Sequence, residues 1–276
     1  MTGRKVTPLF AGTGAVLLLF MAVALLAPWL APYDPNAVSR DAILAPMSAA
    51  HWLGTDALGR DVWSRLLYGA RVSVFFALAG AACTMLLGAL LGVVGGYFGG
   101  LTDRLIQIGV HIFQGLPGMS LMVALAGVMG PGTFSILLAV TLTSWTSFSR
   151  LVRAEVLRVR YAEYVEAVRA LGAGHGYILW RYILPNIMPS LIVLWTVRIG
   201  SVLLSVASLS FLGLGVQPPD ADWGVMIFDA KSYFRTYPWL LLAPGACIAA
   251  LSIAIQLWGD ELRDYLSIDE EPWREG

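Results

Sequence analysis

Long stretches without Asp, Glu, Lys or Arg alternate along this chain with shorter stretches where charge gathers. Five uncharged stretches stand out: 6 to 33, 72 to 102, 105 to 149, 182 to 219 interrupted at Arg198, and 236 to 259. Each can cross a hydrocarbon layer of roughly 30 Å, which takes about 20 helical residues. The stretch 105 to 149 would make a helix of about 68 Å at 1.5 Å per residue, over twice that thickness. It must fold back. Met129-Gly130-Pro131-Gly132-Thr133 is the turn cluster near its middle, combining a helix breaker with two residues free to take positive φ. The pattern therefore predicts six helices, over about 9 to 30, 73 to 98, 105 to 128, 133 to 150, 187 to 215 and 238 to 258. Helices rather than strands follow from these lengths and from the need to satisfy every backbone group in lipid. The expected fold class is an all-α integral membrane protein.

Arg4 and Lys5 precede the first apolar stretch as they would in a cleaved signal peptide, but its length exceeds the usual hydrophobic region of such a leader. Orientation follows from Lys/Arg asymmetry. With the N-terminus inside, eleven basic residues (Arg4, Lys5, Arg104, Arg150, Arg153, Arg158, Arg160, Arg169, Arg181, Arg263 and Arg274) fall inside. Six (Arg40, Arg60, Arg65, Arg71, Lys231 and Arg235) then fall outside, which favours both termini in the cytoplasm, N-in and C-in. The expected organisation is an N-terminal helix and extracytoplasmic segment over 1–71, a transmembrane domain over 72–260 and a cytoplasmic tail over 261–276. Three connections are large: 31 to 71 and 216 to 237 outside, and 151 to 186 inside.

Composition agrees with a bilayer location: 58% of residues are hydrophobic, 13% charged, and mean hydropathy is +0.72. The 18 basic and 18 acidic residues cancel, which removes the positive field that nucleic-acid binding needs. Cys83 and Cys247 lie inside apolar runs, so they read as packing residues rather than as a disulfide framework. A phosphate-cradling G-x-x-x-x-G-K-[ST] loop is missing, since neither Lys5 nor Lys231 follows a glycine. If the chain moves solutes against a gradient, the energy must come from another chain.

The inner loop is orderly. Tyr161, Val165, Val168 and Leu171 recur at helical spacing and form one apolar stripe that something must cover. Gly172 and Gly174 end that helix, Tyr177 to Ile183 read as a second short helical turn, and Pro185 closes it before the fifth span. Spacing alone leaves two alternatives open: a compact knob for a partner, or a basic loop resting on lipid headgroups.

Glu163-Tyr164-Val165-Glu166-Ala167-Val168-Arg169-Ala170-Leu171-Gly172-Ala173, followed by Arg181-Tyr182-Ile183-Leu184-Pro185-Asn186, resembles the EAA loop of permease subunits from binding-protein-dependent ABC importers. Glu166 and Ala167 match the first two motif positions, Gly172 the glycine and Leu184-Pro185 the ending, while Val168 replaces the second alanine. His51 to Asp56, Gly59 to Asp61, Arg65 to Ser73, Leu209 to Pro219 with Trp223-Gly224, and Gly259 to Asp264 are similar to the dipeptide/oligopeptide/nickel branch. The resemblance covers the chain after about residue 28. It implies a type I importer permease fold in a prokaryotic cytoplasmic membrane, with ATPase coupling through Glu166, Ala167, Gly172, Leu184 and Pro185 and with Val168 at the departing position. Arg169, on a turn with Glu166, is placed for charge-assisted hydrogen bonds to that partner. It also implies a second homologous permease, two cytoplasmic ATPases that carry the ATP and Mg, and an extracytoplasmic solute-binding protein. No cofactor is expected on this chain. Short phrases around Leu171 to His175 and Trp223 to Ile227 look closer to nickel-type permeases, so peptides and a nickel chelate both stand as substrates.

Arg198 is the charged residue deep in a span, where the cost of burying a cation directs it to the pathway, a subunit interface or a snorkelling position. Gln107 and His111 are four apart and share a helical face, a pair suited to interhelical hydrogen bonds more than to metal. Asp61 to Arg71 reads as a helix lying at the outer interface, and Trp223, Tyr233, Tyr237 and Trp239 as an aromatic belt. Two other classes are weighed. An intramembrane enzyme or an ion-coupled carrier would want a carboxylate inside a span, and none is found there.

Overall fold

The computed structural model describes residues 7–266; the predicted cytoplasmic tail beyond that point, with Arg274, and the N-terminal Arg4 and Lys5 lie outside the described residues. The ordered elements are helical: α1 (Pro8–Leu30), α2 (Val62–Phe98), α3 (Gly100–Gln114), α4 (Gly118–Met129), α5 (Thr133–Arg160), α6 (Glu163–Ala170), α7 (His175–Ile178), α8 (Leu184–Phe211), α9 (Trp223–Ala230) and α10 (Trp239–Tyr265). A π-helical segment over Leu179–Ile183 joins α7 to α8. Among the described residues five helical runs are long and apolar enough to cross a membrane, and α3 with α4 makes a sixth span if the bent pair is counted as one.

Four boundaries differ from the sequence reading. The third predicted span, 105 to 128, is two helices bent by 89° at the break between Gln114 and Gly118. Pro117 explains it: the residue has no N–H to donate, its ring would strike the carbonyl four residues back, and Leu116 before it is pushed out of the helical region. Helix α2 starts at Val62 instead of near 73, capped by Asp61, whose Oδ2 accepts from the Ser64 N–H at 2.8 Å. The segment Asp61 to Arg71 is therefore the buried start of a span and not an interfacial helix. Helix α5 runs on to Arg160, ten residues beyond the predicted boundary at 150. Pro185 does not close the inner segment, because helix continues from His175 to Phe211. The wider π turn, in which the Leu184 N–H reaches the Leu179 carbonyl, leaves room for a proline that would clash in a regular helix.

The central pairing is α2 against α5. Gly88, Gly92 and Gly96 form a ridge along α2, and a Cβ on Gly92 would stand 2.6 Å from the Ser149 carbonyl oxygen. Without side chains these two backbones pack at close range, the device that substitutes for hydrophobic attraction between helices in lipid. Helix α1 packs on α2 and α10, with Phe10 stacked on Trp258 at 5.4 Å between centroids. Thr7 Oγ1 donates to Glu261 Oε2, so the described ends of the chain meet on one face. Tyr97, at the end of α2 on that same face, packs with Val165 and Ile178 of the inner segment.

The opposite face carries a cap made from 31 to 61, the start of α2 and α9. Arg60 donates through Nε to Asp56 at 2.6 Å and through Nη2 to Asp229 at 3.0 Å. Arg65, 1% exposed, donates to the carbonyls of Pro35 and Pro219. Trp223 is equally buried and donates its indole N–H to the Leu66 carbonyl at 3.0 Å, so it is a core residue and not part of an aromatic belt. Cys83, read as a packing residue, is exposed on α2.

Candidate coupling site and its supports

Helix α6 places Glu163 and Glu166 in its first turn and Arg169 in its last, the order the helix dipole favours. Its end is built by backbone geometry. Gly172 takes φ 85°, its N–H reaches the Arg169 carbonyl at 3.0 Å, and the Ala173 N–H reaches Val168 at 3.3 Å. This paired closure returns the chain beneath the helix, and a side chain at position 172 would strain it. Gly174 then precedes α7, which turns directly into the π segment and α8.

The apolar stripe divides in two. Val165 is fully buried and Val168 half-buried, packed with Ile178, Ile183 and Ile187 against Val156 and Val159 of α5. Tyr161 and Leu171, at the ends of the stripe, remain exposed, Leu171 by 87%. Tyr164, Tyr177 and Trp180 extend this exposed apolar surface, with Trp180 76% exposed. Glu166, Ala167 and Gly172 are exposed beside it, and Arg169 is half-buried. Leu184 is half-buried and Pro185 exposed, one helix further on, where they join the knob to α8. The arrangement is an anchored inner half and an uncovered outer half.

Polar braces fix the anchor. Tyr97 Oη and His175 Nδ1 lie 3.1 Å apart, tying α2 to α7. Arg160 donates to the Gly96 carbonyl at 3.0 Å. Arg153 grips Asp103 with two bonds of 2.6 Å, joining α5 to α3. A rigid-body shift of the knob would therefore be felt in α2, α5, α8 and, through Asp103, in α3. Sequence reasoning singled out none of Tyr97, His175, Asp103 or Arg153 for this role. A signal existed for the last pair alone, opposite charges at the ends of neighbouring predicted spans.

The pathway candidates are not brought together. Arg198 is half-buried on α8 and reaches the Ser144 carbonyl of α5 at 3.4 Å, a long contact. Gln107 of α3 turns its buried amide nitrogen towards Asp103 on the same helix, and His111 is exposed. Among the described residues no group of three or more His, Cys, Asp or Glu side chains is placed to hold a metal.

On the far face, Asp222 caps α9 by accepting from the N–H groups of Gly224 and Val225 at 3.1 and 3.3 Å. It also accepts from Ser73 Oγ at 2.6 Å. Burial pushes this carboxyl above the usual range, and those hydrogen bonds oppose the shift. His51 Nδ1 and Asp61 Oδ1, 2.8 Å apart, brace the segment before α2, which Arg60 ties to Asp229 of α9.

Residues 85–263 match the family described as binding-protein-dependent transport system inner membrane component, and residues 9–47 match the N-terminal TM domain of oligopeptide transport permease C. Among curated relatives, the probable D,D-dipeptide transport system permease protein of Escherichia coli is 38% identical over 95% of this chain and 88% of its own length. The nickel transport system permease protein of Escherichia coli is 39% identical over 91% of each chain. The di/tripeptide transport system permease protein of Pseudomonas aeruginosa is 40% identical over 91% of this chain and 84% of its own length. Solved structures share the fold at lower identity. An amino acid ABC transporter chain superposes with a TM-score of 0.56 at 16% identity over 74% of this chain and 93% of its own. A chain of the inward-facing MetNI methionine ABC transporter gives 0.53 at 21% identity over 74% and 94%. With its several membrane-spanning helices and the braced knob of α6 and α7, the chain belongs to the binding-protein-dependent transport system inner membrane components, as a multi-pass permease subunit of an ABC importer.

Proposed function

We propose that this permease passes peptides or a nickel chelate across the cytoplasmic membrane, driven by ATPases that grip the knob formed by α6 and α7. The observation that carries the proposal is the divided stripe: Val165 and Ile178 are anchored against three spans, while Leu171, Tyr177 and Trp180 stand exposed beside Glu166. An uncovered apolar surface on a braced support is suited to a partner that moves it. The knob, Thr7 and Glu261 share one face, and the Lys/Arg excess assigns that face to the cytoplasm. A second homologous permease, two ATPase subunits holding ATP and Mg, and an extracytoplasmic solute-binding protein complete the proposed assembly. ATP binding would close the ATPases, shift both knobs and turn the central cavity outward to receive substrate. Glu166, Ala167, Val168, Arg169 and Gly172 form the grip, and Leu184-Pro185 passes its motion to α8.

The substrate class rests on relatives named for dipeptides, di/tripeptides and nickel. Uptake of labelled dipeptide against labelled nickel by the reconstituted importer separates the two. Glu166→Ala should weaken ATPase association by about tenfold or more if it supplies a charge-assisted bond, worth roughly 1.5–3 kcal/mol. Unchanged association and unchanged uptake would remove Glu166 from the grip.

A further inference from the structure

An open cleft of about 1030 Å³ lies on the half of the molecule opposite the knob, between α1 and α2 and beneath the turn from Ala31 to Asn36. Its floor is apolar, with Met21 and Leu25 from α1 and Phe75 and Leu78 from α2. Leu25 and Phe75 are both exposed along it. From Met21 to Ala31, helix α1 rises about 15 Å, the depth of one leaflet of a roughly 30 Å hydrocarbon layer. The cleft thus has the length and lining to take hydrocarbon chains lying beside α1.

Its rim is charged with both signs. Arg71 lines it, exposed, and among the described residues no carboxylate or carbonyl pairs with its guanidinium. An arginine this close to the hydrocarbon is costly unless a phosphate or carboxylate meets it. Asp34 and Asp220 line the same rim, also exposed. Asn36 adds a buried Oδ1 that receives no donor among the described residues. The site offers a cation for an anionic group, two carboxylates for a cationic one, and an acceptor that needs an N–H.

We propose that this cleft binds a phospholipid with a primary-amine headgroup, of the phosphatidylethanolamine class, from the leaflet opposite the knob. The phosphate pairs with Arg71, the ammonium donates to Asp34, Asp220 and Asn36, and the acyl chains lie on the floor. A choline headgroup has no N–H to give Asn36. An anionic glycerol headgroup meets two carboxylates with no cation of its own. The amine lipid matches the arginine, both carboxylates and the amide oxygen.

The test uses the full chain purified with its partners in detergent, stripped of lipid, and titrated with equal amounts of phosphatidylethanolamine, phosphatidylcholine and phosphatidylglycerol. Native mass spectrometry reads the lipid retained. Phosphatidylethanolamine is expected to be retained about tenfold over the other two, the size of one charge-assisted hydrogen bond. Retention should fall in Arg71→Gln and survive in Arg71→Lys. Leu25→Trp, which fills the floor without changing charge, should also lower it. Glycerophosphoethanolamine, the headgroup without chains, should fail to compete. Equal retention of the three lipids, displacement of phosphatidylethanolamine by a dipeptide or nickel chelate, full competition by the headgroup fragment, or retention unchanged in both Arg71→Gln and Leu25→Trp would each overturn the proposal. The readout is lipid mass, so the outcome is independent of what the importer carries.

Discussion

Asp222 illustrates how much one side chain can organise. It caps α9, takes the Ser73 hydroxyl of α2, and lies beside Trp223, so it joins the segment between α8 and α10 to a span. Asp222→Ala should cost at least about 1–2 kcal/mol, from the lost cap and the hydroxyl left without its acceptor, seen as a lower unfolding temperature in detergent. Its folded-state pKa is raised, so the sign follows directly. The neutral acid favours the fold: its contribution is complete below the ordinary value of 3.8 and is lost as pH rises through the folded pKa. Asp222→Asn does not titrate and can keep the cap. The stability of the wild type relative to this variant should therefore fall as pH rises through that window, and a constant difference would contradict the assignment. At this scale the inner knob was partly legible. Val165 and Val168 announced themselves by helical spacing, but the Tyr97–His175 contact joins positions 78 apart in sequence, and no local pattern encodes it.

The helices pack by shape. Gly92 lets α2 reach the Ser149 carbonyl of α5, and Val152 Cβ would also lie 2.8 Å from any added Cβ. Both obstacles are close to rigid backbone, so Gly92→Ala should force the helices apart at a cost of about 1–3 kcal/mol, measurable as lost thermal stability of the assembled importer. Between α3 and α5, the Arg153–Asp103 pair is partly exposed, and solvent reduces its worth to roughly 1 kcal/mol. A double-mutant cycle with Asp103→Asn and Arg153→Gln should show that coupling, and additivity would mean the bridge does not tie the helices. The broken α3–α4 span was signalled by Gly115-Leu116-Pro117-Gly118, yet a hydropathy count passes over it because none of the four is charged. Pro185 gave the opposite lesson. A strong breaker by local rules is absorbed by a π turn that buried neighbours Ile183 and Ile187 hold in place.

As a whole, the molecule has two opposite faces joined by the α2–α5 pair, with the anchored knob on one side and the charged cap on the other. Single cysteines placed at exposed Glu166 and exposed Asp220, in a background without Cys83 and Cys247, should react with a membrane-impermeant maleimide from opposite sides of the bilayer, the first only after the cytoplasmic face is opened. Labelling of the Glu166 position from outside and the Asp220 position from inside would reverse the proposed topology, and labelling of both from one side would contradict it. What the sequence determined by itself was the membrane location, the approximate spans and the helical stripe of the knob, because long uncharged runs and helical spacing are local properties that the solvent reads directly. Only the tertiary structure decided the 89° elbow, the burial of Arg65 and Trp223 in the cap opposite the knob, and which half of the knob is anchored. Those depend on which surfaces distant helices present to one another, and a buried charge or a bent span is stable only where such partners satisfy it.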